Sequence, residues 1–205
     1  MKKIGLTGNI GSGKSWVSQL FQRIDIPVFN SDEEAKRLYE RDDIREAMKA
    51  RFGADVYFDD NQVNRKRVAE IIFNDAKAMH DVEQLLYPVL NAWFDEWAEQ
   101  QESPYVLYES AIIFEKGLSE RFDAVILVSA SEQTRLRRVM LRDHCDEETV
   151  RERMEAQWTE KEKRENADFI IEHDNDDEDE YLLEQVLNIH ETLLAQRKFH
   201  FFSKK

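Results

Sequence analysis

Gly8-Asn9-Ile10-Gly11-Ser12-Gly13-Lys14-Ser15 sets three glycines, an ammonium and a hydroxyl at the spacing of a phosphate-cradling loop, G-x4-G-K-S. Glycine admits backbone angles closed to other residues, so Gly8, Gly11 and Gly13 let successive N–H groups curl round phosphate oxygens. The helix that must follow adds the positive end of its dipole. Lys14 is placed to neutralise β- and γ-phosphates, and the Ser15 hydroxyl to ligate Mg²⁺. An apolar run with Ile4 and Leu6 precedes the loop, and an amphipathic stretch opens at Trp16-Val17, the strand–loop–helix setting this chemistry needs. A glycine-rich turn alone is often structural punctuation. The complete pattern in this setting predicts that the segment from Gly8 to Trp16 binds a nucleoside triphosphate. The chain has no Asn-Lys-x-Asp and no Asp-x-x-Gly, so guanine recognition and a GTPase switch have no residues to carry them.

Three further groups fit chemistry on a bound triphosphate. Asp32 closes Phe29-Asn30-Ser31-Asp32 at the carboxyl end of an apolar strand. There it can accept a proton from an acceptor hydroxyl, or Ser31 or Asp32 can cap the helix Glu33–Arg41; position alone leaves both open. Glu109 ends Leu107-Tyr108-Glu109, the pattern of an acidic residue that holds Mg²⁺ or its waters after a strand. Ser110 fits a capping role better than Glu109, and Glu115 lies further on, in a loop or helix. Arg135, Arg138 and Arg142 fall at i, i+3 and i+7, one face of a helix. They read as a lid closing over a transferred phosphoryl group, completed by Arg153, Gln157, Lys161 and Lys163 on the next helix. A salt-bridged solvated face, with Glu132 and Asp143 as partners, is the alternative.

These groups need a sheet to position them. Strands are predicted at Lys3–Thr7, Pro27–Asn30, Tyr105–Tyr108, Ala124–Val128 and Phe169–Glu172. Helical patterns cover Ser15–Arg23, Arg65–Phe73, Ala76–Gln100, Ser131–Arg142, Glu147–Arg164 and Glu180–Arg197. Alternation of this kind predicts an α/β fold, a five-stranded parallel sheet flanked by helices. Two helical stretches interrupt it, over the carboxyl edge where α/β ligands bind. The expected division is a core of 1–33, 103–130 and 167–205, an insertion of 34–102 and a lid of 131–166.

Composition narrows the setting. The net charge of −14 over 205 residues argues against nucleic-acid binding. No run is long enough to span a membrane, and Met1-Lys2-Lys3 leads straight into a strand, so a cytoplasmic protein is expected. Cys145 is the one cysteine, which excludes an intramolecular disulfide, and the five histidines, His80, His144, His173, His190 and His200, make no metal set. The acidic run from Glu172 to Glu180 reads as a solvated loop and helix start. The tail Lys198-Phe199-His200-Phe201-Phe202 reads as docking on its own core, with a partner surface as the other possibility.

In sequence order these motifs resemble the dephospho-coenzyme A kinase family over nearly the whole chain. Gly5 to Ser15 matches its phosphate loop, and Asp32 its catalytic Asp. Asn64-Arg65 through Ile72-Phe73-Asn74-Asp75 matches its middle insertion, and Glu109 with Ile112-Ile113-Phe114-Glu115 the segment after strand three. Arg138/Arg142-Asp143, Arg153/Gln157 and Ala167-Asp168 match its lid pattern. The resemblance implies a P-loop NTPase fold with a helical coenzyme A-binding insertion and a helical lid. It implies transfer of the ATP γ-phosphoryl group to the ribose 3′-hydroxyl of dephospho-coenzyme A, with Mg²⁺. Lys14, Asp32, Arg138 and Arg142 would be catalytic; Asp32, Arg65, Tyr87 and Glu109 would bind substrate; Ser15 and Glu109 would hold the metal. Tyr87-Pro88 stands where the family has His-Pro, His173 where it has Asn, and Glu109 where Asp is commoner. The rival readings are another small-molecule or nucleoside monophosphate kinase, and a non-catalytic ATP-binding module.

Overall fold

A computed structural model describes residues 1–174 and 179–195. Asp176, Asp177 and Glu178 of the acidic run, and the aromatic tail, lie outside these residues. The described chain divides into two compact units, Met1–Phe29 with Gln101–Lys205, and Asn30–Gln100.

The first unit is built on a parallel sheet of β1 (Lys2–Thr7), β2 (Val28–Asn30), β3 (Tyr105–Glu109), β4 (Ala124–Ser129) and β5 (Phe169–Glu172), in the order β2-β3-β1-β4-β5. Every residue of β3 and β4 is buried. That is why both read as continuous apolar runs rather than alternating ones: a parallel sheet is covered on both faces. Helix α1 (Lys14–Arg23) contributes Val17, Leu20 and Phe21 to this core. Register then positions the chemistry. Leu6 of β1 pairs with Glu109 of β3, so the carboxylate at the end of β3 lies beside the strand end from which the glycine loop departs.

In the second unit, α2 (Ser31–Leu38), α3 (Asp42–Phe52), α4 (Arg65–Asn74) and α5 (Ala76–Glu99) form a helical cluster. Helix α5 packs against α2, α3 and α4. Its buried Ala78, Val82, Leu86, Leu90, Phe94 and Ala98 recur every four residues, so a single stripe does the packing, and the helix runs on through Pro88. The cap of α2 corrects the sequence expectation. It is neither Ser31 nor Asp32 but Asn30, whose side-chain oxygen accepts the N–H of Asp32 and of Glu33, each at 3.1 Å.

The chain returns to the first unit as α6 (Glu132–Asp143), α7 (Glu147–Glu155), α8 (Glu160–Asn166) and α9 (Asp179–Ala195). The 131–166 segment belongs to the same compact unit as the sheet. The helix expected over Glu147–Arg164 is two helices. Thr159 and Glu162 form a reciprocal capping box, a Thr-x-x-Glu start signal legible in the sequence and strong enough to begin a new helix. Leu182, Val186, Ile189 and Leu193 of α9 join α1 in the core. Each such side chain contributes about 1.5–3 kcal/mol on burial. Among the described residues no helix is long and apolar enough to cross a membrane.

Candidate active site

Helix α1 begins from Gly13, which is left-handed at φ +92° and offers no side-chain cap. An anion can take that place. Gly11 is also left-handed, at φ +79°, and a Cβ there would lie 2.6 Å from the Arg135 carbonyl oxygen; one on Gly13 would lie 2.2 Å from His173 Nδ1. Both positions therefore require glycine twice over, for backbone angle and for close approach. Neighbours hold the loop in place. Arg138 Nη1 donates to the carbonyls of His173 at 2.9 Å and Gly11 at 3.4 Å, and His173 Nδ1 donates to the Ser12 carbonyl at 3.1 Å. Ser12 Oγ and Thr7 Oγ1 are buried without a hydrogen-bond partner, polar groups on the loop and just before it that a bound ligand can satisfy.

Lys14 Nζ donates to the Gly8 carbonyl at 2.8 Å, which keeps the ammonium on its own loop. Ser15 Oγ donates to Glu109 Oε1 at 3.2 Å, and Ser18 Oγ to Glu109 Oε2 at 2.7 Å. Glu109 is only 6% exposed. Ser18 is the residue the motif reading missed, although it lies one turn beyond Ser15 on the same helix face. This set of a carboxylate and a hydroxyl is hard, as Mg²⁺ prefers, and leaves the remaining ligands to phosphate oxygens and water. Among the described residues no group of three His, Cys, Asp or Glu side chains could hold a metal by itself.

The row of arginines on α6 does not act as one face. Arg135 is buried and donates from Nε to the Ala130 carbonyl at 3.1 Å. Arg138 sits on the glycine loop. Arg142 makes a two-pronged contact with Asp143 at 2.7 and 2.9 Å, and Arg153 of α7 reaches the same carboxylate at 2.8 Å. Hydrogen bonding from Arg142, reinforced by Arg153, holds the Asp143 carboxyl down to about 2. The salt-bridged alternative is thus realised between Arg142 and Asp143, while Arg135 and Arg138 donate to backbone carbonyls.

The expected second half of the lid also divides. Gln157 lies next to the loop, its Oε1 accepting the Ile10 N–H at 2.8 Å. Lys161 is exposed and 3.9 Å from Glu165. Lys163 is fully buried, 2.7 Å from Glu115, and is no lid ligand.

In the second unit Asp32 is exposed in the first turn of α2. Arg65 is exposed as the first residue of α4, after the Asn64 cap. Burial pushes the Tyr39 hydroxyl up, opposed by the charge of Arg65. Glu33 is held low by Lys36 first, with a smaller contribution from Arg65. Arg65 therefore stands within electrostatic reach of the turn that carries Asp32. Tyr87 is half-buried on α5.

A family model described as dephospho-CoA kinase matches residues 2–179. The dephospho-CoA kinase of Mannheimia succiniciproducens is 32% identical over 207 residues, covering 98% of this chain and 97% of that protein. The crystal structure of TT1252 from Thermus thermophilus superposes with a TM-score of 0.84 at 32% identity, over 95% of this chain and 98% of that one. Dephospho-CoA kinase from Campylobacter jejuni superposes at 0.67 over 93% and 96%, and at 22% identity it speaks for the fold.

Proposed function

The chain belongs to the dephospho-CoA kinase family, and from that premise we propose how its residues divide the transfer of a phosphoryl group from ATP to the ribose 3′-hydroxyl of dephospho-coenzyme A. Family membership favours this acceptor over a nucleoside monophosphate or another small alcohol. What carries the residue assignment is the meeting of Ser15, Ser18 and Glu109 beside the glycine loop. The amides of that loop and Lys14 bind the β- and γ-phosphates, Lys14 exchanging the Gly8 carbonyl for phosphate oxygen. Ser15 and Glu109 are the protein groups that would hold Mg²⁺, which would supply positive charge to offset that of the phosphates.

Asp32 orients the acceptor hydroxyl and takes its proton as the oxygen attacks the γ-phosphorus. The bond to the β-phosphate oxygen breaks, and its electron pair leaves with ADP. Arg138 and Arg142 stabilise charge on the transferring group. For Arg142 this means leaving Asp143 for phosphate, so closure of the lid and exchange of one anion for another are a single event. Arg65 and Tyr87 bind the coenzyme. A cytoplasmic setting is consistent with two charged nucleotide substrates, and a net charge of −14 argues against generic nucleic-acid binding.

The test is ADP release in the presence of ATP and Mg²⁺ with dephospho-coenzyme A, nucleosides, nucleoside monophosphates and shikimate offered separately. Turnover is expected with dephospho-coenzyme A, giving a product with a new 3′-phosphomonoester by phosphorus NMR. Faster turnover of a nucleoside monophosphate or shikimate refutes the assignment.

A further inference from the structure

Lys163 is the one lysine among the described residues that is fully buried. Its ammonium lies 2.7 Å from Glu115 Oε1 and donates to the Ala111 carbonyl at 2.7 Å. Burial pushes the Lys163 ammonium down, and Glu115 opposes that shift. Removing two charges from water is costly, and such a pair is retained where geometry matters more than net stability.

The same Glu115 Oε1 accepts the backbone N–H of Trp158 at 3.0 Å. The Trp158 carbonyl accepts Asn9 Nδ2 at 3.2 Å, and the neighbouring Gln157 Oε1 accepts the Ile10 N–H at 2.8 Å. A path of contacts thus runs from the loop after β3, through the Glu115–Lys163 pair and the backbone of Trp158, to the tip of the phosphate loop. Trp158 packs on one side against Phe114, with ring centroids 6.1 Å apart. The segment also borders a cavity of about 600 Å³, lined too by Asn9, Arg135 and Glu160, so hydrogen bonds have to hold it where packing does not reach.

We propose that Glu115 and Lys163 are positioning residues for phosphoryl transfer: their buried pair holds Gln157 and Trp158 against Asn9 and Ile10, and so sets the tip of the loop that receives the ATP phosphates. The proposal rests on the phosphate-loop assignment above. It makes the exit from the lid part of the nucleotide site, although neither residue touches substrate.

Lys163→Met tests it, with steady-state kinetics measured well below its melting temperature and Lys14→Ala as the control. Misplacing reacting groups by about 1 Å costs on the order of 10² in rate. The expectation for Lys163→Met is a kcat/KM for ATP lowered at least about tenfold, an unchanged KM for dephospho-coenzyme A, and faster amide exchange at Asn9 and Ile10. A folded variant with wild-type kcat and KM for ATP, whatever its melting temperature, overturns the proposal. If Lys163→Met does not fold, Gln157→Leu removes only the contact to Ile10. It must show the same split between substrates, and a normal KM for ATP there is equally fatal. Gln157→Glu, which keeps an acceptor oxygen, is expected to recover most of the loss. Lys14→Ala separates the two levels. Loss of about 10²–10³ in turnover upholds the loop assignment. Near-normal turnover in Lys14→Ala overturns that assignment, and this proposal with it.

Discussion

The side-chain oxygen of Asn30 accepts the backbone N–H of Asp32 across 3.1 Å, and so does the work of capping α2 before Asp32 is reached. The Asp32 carboxylate is therefore not the group that starts the helix, and the proposed base and the cap are different residues. Asn30→Ala should cost about 1 kcal/mol of stability, as lost caps do. Asp32→Asn should fold and bind ATP normally, yet lose on the order of 10²–10⁴ in kcat, the worth of a general base. Denaturant titration beside single-turnover kinetics distinguishes them. Wild-type turnover in Asp32→Asn would mean that the proton leaves to water or to the phosphate itself.

Glu109→Gln keeps an oxygen that can accept from Ser15 or Ser18 but removes the negative charge. The fold should survive. The Mg²⁺ concentration needed for half-maximal activity is expected to rise by about 10–100-fold, the usual effect of a changed metal environment. A titration of activity against Mg²⁺ at saturating ATP checks this, and an unshifted midpoint removes Glu109 from the metal site.

Arg65 is exposed at the start of α4, so truncating it should leave folding intact. Arg65→Ala is expected to raise the KM for dephospho-coenzyme A by about tenfold or more, since a charged hydrogen bond is worth about 1.5–3 kcal/mol. The KM for ATP should stay within about twofold of wild type. Equal changes in both constants would make Arg65 a structural residue of the insertion.

The pair of arginines on Asp143 makes a pH prediction. The folded-state value, about 2, lies below the ordinary 3.8. The stabilisation is thus present above about 3.8 and is lost as pH falls through about 2. Carbon-13 titration of the Asp143 carboxyl in the substrate-free enzyme should give a midpoint near 2, moving towards the ordinary value in Arg142→Ala. A wild-type midpoint near 4 would show that Arg142 is not held by Asp143 in solution, and closure of the lid would then need no exchange of anions.

The phosphate loop, its strand and its helix were all legible in a run of residues, because the left-handed backbone angles at Gly11 and Gly13 and the apolar strand are local. Glu109 was legible for the same reason: a charge that ends an apolar strand has to emerge at the sheet edge. The parallel sheet followed from alternation of strands and helices. The cap of α2 and the break before α8 were also written locally, in Asn30 and in Thr159-x-x-Glu162. The first lost to the attraction of Asp32 as a candidate cap, and the second to the continuity of a charged helical pattern.

What no local pattern contains is which of several like charges is buried, and against what. Arg135, Arg138 and Arg142 share a spacing, yet one binds the Ala130 carbonyl just before its helix, one clasps the glycine loop from more than a hundred residues away, and one is held by its neighbour. Lys161 and Lys163 stand two residues apart, one exposed and one with no exposed surface at all. On a short helix that spacing turns the second side chain to the opposite face. Only the return of α8 onto the loop after β3 decides that this face meets Glu115. Pattern along the chain determined the phosphate chemistry, which needs backbone angles and a few adjacent groups. Tertiary packing decided how the loop is held, because a charge can be buried only where a partner distant in sequence arrives to neutralise it.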